Sequence, residues 1–389
     1  MSEAEAEAVA PAAGSKAAVT GIDRRLMRAA AALAARGQGQ VWPNPSVGAL
    51  IVQFEDGGPV IVGRGVTSRP GGPHAEVSAL RQAGDLARDA TCYVTLEPCS
   101  HYGRTPPCAL ALREAGVARV VIGCLDPSPR VAGRGVAMLE EAGISVSTGV
   151  EEELCRLLHA GHRLRVTDQR PDVVLKLALS ADGGIGRVGE GQVAITGPLS
   201  RNVVHGLRGS CDAILVGIGT ALADDPELTC RMPGMKDRSP VRVVLDKDAR
   251  LPLKSRLVQS AADVPVWLVT GNQADPERVQ ALADAGVLVI RVPANEEGIE
   301  PKIALTALAN RGVTRLMVEG GARVARSFLQ AGVVDETWIF HGVAELGAGR
   351  ILPFDGGAGG FTAEYPDFRL VDTAVYGPDR LLRFRRKES

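Results

Sequence analysis

The chain has 389 residues, 45% hydrophobic and 23% charged, the makeup of a globular protein long enough for two separately cored domains. Its 44 Lys and Arg against 45 Asp and Glu leave a net charge of −1, without the basic excess of a dedicated nucleic-acid binder. No apolar run reaches the roughly 18 residues that span a bilayer, and seven cysteines, an odd number, argue against a disulfide framework and for a reducing cytoplasm.

Residues 1–20, rich in Ala and Glu, read as a disordered tail; they lack the basic and apolar blocks of a signal peptide. A helix is predicted over 22–36, closed by Gly37. The loop WPNPS then leads to two short strands, 47–53 and 59–66. Residues 73–84 read as a helix with Pro73 at its start and Gly84 past its end, and 91–98 as a strand stopped by Pro98. A helix over 106–116, an apolar strand over 118–127, a helix over 133–143, a strand over 144–150 and one long helix over 151–166 follow. This alternation argues for an α/β sandwich with a partly parallel sheet, and abundant Gly and Ala with few aromatics suit helices lying close on it. The charged stretch TDQRPD places a domain boundary near 167–171. Strands at 173–183, 212–219, 241–246, 264–270, 287–292, 315–321 and 336–344, with helices between several of them, make a second α/β domain. The expected division is therefore 21–167 and 171–387, without a fixed-period repeat.

Three segments of the first half carry chemistry together: PHAE at 73–76, EPCS at 97–100 and PPC at 106–108. A catalytic zinc takes three protein ligands and keeps a fourth position for water. His74, Cys99 and Cys108 meet that count, and Glu76, two residues after His74, can act as the proton shuttle without being a ligand. Cys108 opens a helix, whose N-terminal dipole favours thiolate. The spacing departs from the H-x-E, P-C-x-x-C signature of zinc deaminases, because residues 100–107 separate the two thiols. A closed structural Cys2His2 site completed by His101 is the competing reading, but it gives Glu76 no purpose.

HAE, the loop EPCSHYGRTPPC, NPSVG and DPSPRVAGRG together resemble the bifunctional riboflavin-biosynthesis enzymes, a pyrimidine deaminase fused to a reductase. The resemblance runs from about Asp23 to the C-terminus. It implies a cytidine-deaminase-like α/β/α sandwich holding one zinc per chain. It also implies hydrolytic deamination of 2,5-diamino-6-ribosylamino-4(3H)-pyrimidinone 5′-phosphate. Asn44, His101 and Arg104 match positions around that substrate, Arg104 facing its phosphate; as a lone residue, Arg104 would be a solvated surface charge.

The second half has no P-loop. Its one suggestive feature is RLMVEGGARVARSFL, a strand running through Glu-Gly-Gly into a helix. Such a junction lets a phosphate approach backbone N–H groups, although Gly-Gly also serves plain turns. LKLALSADG, GEGQVAITG, DAILVGIGTALADDPELTCR, RVVLD and VEGG resemble the reductase half of the same family. That implies a dihydrofolate-reductase-like α/β domain using NADPH to reduce the ribosyl chain to a ribityl chain. By position, Thr220, Asp224 and the run Gly321, Ala322, Arg323, Val324, Ala325, Arg326, Ser327 would hold NADPH. Arg208, Leu228, Arg231, Glu319 and Lys176 would contact the substrate. Lys247, Arg250 and Arg323 are candidates for the cofactor's 2′-phosphate. The family's tryptophan near the cofactor is missing, Val193 and Ala194 standing in that region.

The expected protein is a cytoplasmic enzyme of small pyrimidine nucleotides, possible as a homo-oligomer, without nucleic-acid or membrane partners. Two alternatives are carried: a nucleic-acid or nucleoside deaminase with an accessory domain, and a deaminase whose second half only senses nucleotide.

Overall fold

The computed structural model describes residues 19–102, 106–128, 131–191, 193–354 and 360–387. The chain divides into two units: one takes residues up to Gly37 and Asn44–Arg163, the other Gln38–Pro43 and Leu164 onward. Most of the expected N-terminal tail lies outside the described residues.

The first unit holds one sheet of β1 (Gly48–Glu55), β2 (Gly58–Val66), β3 (Thr91–Leu96), β4 (Arg119–Cys124) and β5 (Ser145–Ser147), in the order β2-β1-β3-β4-β5. β1 runs antiparallel to β2 and β3, while β3, β4 and β5 are parallel, so the sheet is partly parallel as expected. Its helices are α1 (Gly21–Ala35), α2 (Ala75–Ala83), α3 (Cys108–Glu114), α4 (Arg134–Glu141) and α5 (Glu152–Leu158), and α6 (Ala160–Thr167) starts in this unit and ends in the second. α1 starts on a capping box in which the Thr20 hydroxyl accepts from the Asp23 amide and the Asp23 carboxylate accepts from the Thr20 amide. The wealth of small residues has a definite use here. Glycine at 65 is required because a Cβ there would lie 2.0 Å from the Ala75 carbonyl oxygen, so α2 rests directly on β2.

The single helix expected over 151–166 is interrupted at His159, where φ is −99° and ψ is 14°. The His159 side chain is drawn into the core, its Nε2 lying 3.0 Å from the Thr95 hydroxyl. Its backbone still continues the ladder: its N–H donates to Cys155 and its carbonyl accepts from Arg163.

The strands of the second unit are β6 (Asp172–Leu179), β7 (Ala213–Gly217), β8 (Val241–Leu245), β9 (Val266–Gly271), β10 (Leu288–Val292), β11 (Arg315–Val318), β12 (Glu336–His341), β13 (Phe368–Tyr376) and β14 (Asp379–Arg386). They form one sheet in the order β10-β9-β8-β7-β11-β6-β12-β14-β13. From β10 to β12 all neighbours are parallel, and β14 and β13 are added antiparallel. The helices are α7 (Pro198–Arg208), α8 (Ile218–Asp224), α9 (Arg256–Gln259), α10 (Pro276–Asp284), α11 (Pro301–Ala309), α12 (Ala322–Gln330) and α13 (Phe361–Glu364).

Successive residues of a central strand serve opposite faces. Val173, Leu175 and Leu177 of β6 enter one apolar cluster and Val174 the other. Phe354, Phe361, Phe368 and Phe384 gather in the first, with Phe361 ring centroids 5.0–5.6 Å from the other three. After β7 the chain steps toward β10, and after β11 it steps the other way to β12, so the β7/β11 pair is the switch point where such sheets bind ligands. No helix among the described residues is long and apolar enough to cross a membrane.

Candidate functional site

In the first unit, β3 and the starts of α2 and α3 converge. His74 is the N-cap of α2, Cys99 lies just past β3 and Cys108 is the first residue of α3. His74 Nδ1 is 3.2 Å from Cys108 Sγ and 3.7 Å from Cys99 Sγ, and the Cys108 amide donates to Cys99 Sγ at 3.2 Å. All three ligand atoms lie within 4.8 Å of one another, which suits one ion bound at about 2.0–2.3 Å per ligand. One imidazole and two thiols are also the donor set that zinc prefers. No other such trio of His, Cys, Asp or Glu occurs among the described residues.

The electrostatics agree with a metal centre. Hydrogen bonds from Cys108 and His74 outweigh burial and bring the Cys99 thiol down to about 4. The hydrogen bond to Cys99 and burial push the Cys108 thiol up, and a bound dication would favour loss of that second proton. Glu76, in the first turn of α2, is 4% exposed, and burial raises its carboxyl to about 7, the range of a group that can both take and give a proton.

Asn44 and His101 fall on the flanking loops, Asn44 half-buried and His101 exposed, while Arg104 lies outside the described residues. Sequence reading assigned no role to Glu97. Its buried carboxylate accepts from the amides of Asp126, Gly133, Gly135 and Val136, which fixes the strand end that leads to Cys99. Only its place two residues before the thiol hinted at this.

In the second unit the named residues collect around the switch point. Val318 registers with Leu175, which sets Glu319 beside Lys176 on adjacent strands. Arg208, at the end of α7, donates to Glu319 at 2.7 Å and to the Thr229 carbonyl at 3.1 Å. Burial would raise the Glu319 carboxyl, but Arg208 and Lys176 outweigh it and hold it below its ordinary value. Burial in turn pushes the Lys176 ammonium down. Glu319 Oε1, Arg208 Nε and Trp338 Nε1 are buried polar atoms without partners among the described residues, and Trp338 is the register partner of Lys176. Leu228 is buried with φ +54°, whereas Arg231 is half-exposed and ion-paired to Glu227 at 2.6 Å. Arg256 pairs with the same Glu227.

Thr220 and Gly321 face each other across β7 and β11, the Gly321 amide donating to the Thr220 hydroxyl at 3.1 Å. Gly321 caps α12 with no side chain over the following amides, an arrangement that fits a cofactor phosphate. The two glycines have different reasons. A Cβ on Gly320 would meet Val324 at 2.7 Å, a packing demand, whereas one on Gly321 would meet only the Thr220 hydroxyl, at 3.6 Å. The rest of the run diverges: Ala325 is fully buried, Ser327 donates to the Val324 carbonyl, and Arg326 donates to the carbonyls of Leu352 and Pro353. Ala322 and Val324 are half-buried. Asp224 ends α8, its carboxyl raised by burial. Val193 and Ala194 lie in the loop before α7, whose far end is held by Asp379, which accepts from the Gly197 amide and the Ser200 hydroxyl.

Comparison with known proteins covers both halves. The cytidine and deoxycytidylate deaminase zinc-binding region matches residues 20–124, and the RibD C-terminal domain matches residues 171–382. The riboflavin biosynthesis protein RibD of Aquifex aeolicus is 40% identical, over 84% of this chain and 89% of its own. That of Escherichia coli is 38% identical over 92% and 97%. Among solved structures, Acinetobacter baumannii RibD superposes with a TM-score of 0.82 at 36% identity, covering 94% of this chain and 99% of that one. A Thermotoga maritima protein described as a diaminohydroxyphosphoribosylaminopyrimidine deaminase/5-amino-6-(5-phosphoribosylamino)uracil reductase gives 0.79 at 34% identity, with the same coverage.

Proposed function

This chain belongs to the RibD family of riboflavin-biosynthesis proteins, and from that premise we propose how its own residues divide the family's two reactions. The chain is a bifunctional enzyme, a zinc-dependent pyrimidine deaminase followed by an NADPH-dependent reductase. The observation that carries the deaminase assignment is the convergence of His74, Cys99 and Cys108 with a buried Glu76 in the first turn of the helix that His74 caps.

In the first unit His74, Cys99 and Cys108 hold the metal, which when bound supplies the Lewis acidity that activates water. Glu76 takes the proton of the attacking water and returns it to the substrate, so that the 2-amino group leaves as ammonia. The ring ends as a carbonyl, and the net change is one water in and one ammonia out. Asn44, His101 and Arg104 orient the diaminopyrimidine nucleotide.

In the second unit Thr220, Asp224 and the helix opening at Gly321 hold NADPH, which supplies a hydride. Arg208, Leu228, Arg231, Glu319 and Lys176 hold the deaminated nucleotide while its ribosyl chain becomes ribityl. Glu319 keeps Arg208 and Lys176 in place, since it faces both. The match across both halves favours this reading over a nucleic-acid deaminase with a sensing domain. The same reading has the enzyme in the cytoplasm, acting on small molecules, with neither membrane nor nucleic-acid partners and a homo-oligomer as a possible assembly.

Mass spectrometry of the products from 2,5-diamino-6-ribosylamino-4(3H)-pyrimidinone 5′-phosphate tests it. Without NADPH the deaminated nucleotide should accumulate, and with NADPH the ribitylamino product. Recovery of unchanged substrate in both arms refutes the assignment.

A further inference from the structure

Three cations were candidates for a cofactor 2′-phosphate, and the structure separates them. Arg250 has its Nε 3.7 Å from the Asp246 carboxylate, so its charge is answered within the chain. Lys247 follows β8 and donates from Nζ to the Glu296 carbonyl at 3.2 Å. Arg323, in the first turn of α12, donates from Nη2 to the Glu297 carbonyl. Two cations from separate elements thus close on consecutive residues of one short loop. Both acceptors are neutral carbonyls, and among the described residues neither cation has a carboxylate at ion-pair distance. Consecutive Cα atoms are about 3.8 Å apart, which brings the two charges within roughly 10 Å of each other.

Their place in the sheet is equally specific. β8, β7 and β11 are consecutive strands, and Lys247, Thr220 and Gly321 each lie just past the C-terminal end of one of them. With neighbouring strands about 4.8 Å apart, Lys247 stands about 10 Å along that edge from Gly321. A dinucleotide whose pyrophosphate rests on Gly321 would bring its adenosine ribose toward Lys247, on the side away from Lys176 and Glu319. The carboxylates competing nearby, on Glu296 and Glu297, belong to exposed residues and are screened by water.

We propose that Lys247 and Arg323 form a clamp that reads the 2′-phosphate of the dinucleotide and so selects NADPH over NADH. The proposal rests on the reading of this unit as NADPH-dependent. A phosphate monoester would receive two charge-assisted hydrogen bonds, whereas the hydroxyl of NADH offers no charge for either cation.

Isothermal titration of the full-length, zinc-loaded protein with 2′,5′-ADP and with ADP tests the clamp without any turnover. The wild type should prefer 2′,5′-ADP by on the order of 100-fold, and added salt should shrink that preference. The Lys247→Gln/Arg323→Gln double variant should bring the two ligands within a few-fold of each other by weakening 2′,5′-ADP alone. Lys247→Arg, which keeps the charge, should retain most of the preference. A double variant that still prefers 2′,5′-ADP as the wild type does overturns the clamp while leaving NADPH use standing. Failure of the wild type to bind NADPH at all overturns the cofactor reading itself, and the clamp with it.

Discussion

Glycine at 65 sets the position of the helix that carries the deaminase machinery, and replacing it is a direct test of that dependence. An alanine Cβ there would stand 2.0 Å from the Ala75 carbonyl oxygen, 2.7 Å from the Ala79 amide nitrogen and 2.9 Å from the Ser78 Cβ. Ordinary contact begins at 3.4 Å, and two of these three atoms are backbone, so no side-chain rotation relieves the clash. α2 must therefore withdraw from β2 by about 1 Å, a strain of about 1–3 kcal/mol in a packed interior. His74 caps that helix and Glu76 lies in its first turn, so both move relative to Cys99 and Cys108. A misplacement of about 1 Å costs on the order of 100-fold in rate. Gly65→Ala should lower ammonia release by about that factor, with zinc content measured alongside, while NADPH oxidation on pre-deaminated substrate stays near wild type. Deamination within twofold of wild type in the folded variant would refute the reasoning.

Three further outcomes follow from the same geometry. Glu76→Gln should keep its zinc yet lose deamination by about 100- to 10,000-fold, because the proton carrier is gone while His74, Cys99 and Cys108 remain; zinc analysis with an ammonia assay reads this, and normal turnover would remove Glu76 from the mechanism. Burial, with His162 beside it, pulls the His159 imidazole down to about 3, so the folded state holds it neutral while the unfolded chain protonates near 6.5. Stability from this group is complete above about pH 6.5 and falls by roughly 1.4 kcal/mol per pH unit down to about pH 3. Denaturant midpoints across pH 7 to 4 should show that slope, and His159→Gln should flatten it. Glu319→Gln removes the carboxylate between Arg208 and Lys176 and should cost about 3–5 kcal/mol of stability. It should also stop NADPH oxidation while sparing ammonia release; equal loss of both activities would contradict separate sites.

The metal trio was legible because its residue types are rare and each stands at a structural punctuation mark: a helix cap, a strand end and a helix start. Most strands of both sheets were legible for a similar reason, since apolar runs bounded by Gly, Pro and Asp leave little choice of element. The C-terminal hairpin was not read as such, although Gly-Pro separates its strands at 377–378, because β13 is largely exposed and its apolar pattern is weak. The long helix expected over 151–166 failed at His159, whose side chain takes its partner from β3, far away in sequence.

What the sequence alone determined was chemistry that depends on residue identity: a donor set suited to zinc, the carboxyl group beside it and the two α/β patterns. Such features survive projection onto one dimension, because a ligand type or a period is local. The tertiary structure decided how otherwise equivalent residues are partnered. Of three cations, Arg250 is answered by Asp246 while Lys247 and Arg323 share a loop. Of two glycines, one serves packing and the other leaves room at a helix start. Glu97, unmarked in the sequence, holds four amides. In each case the deciding partner lies on another element, and a hydrogen bond or a close contact exists only once the fold brings the two together.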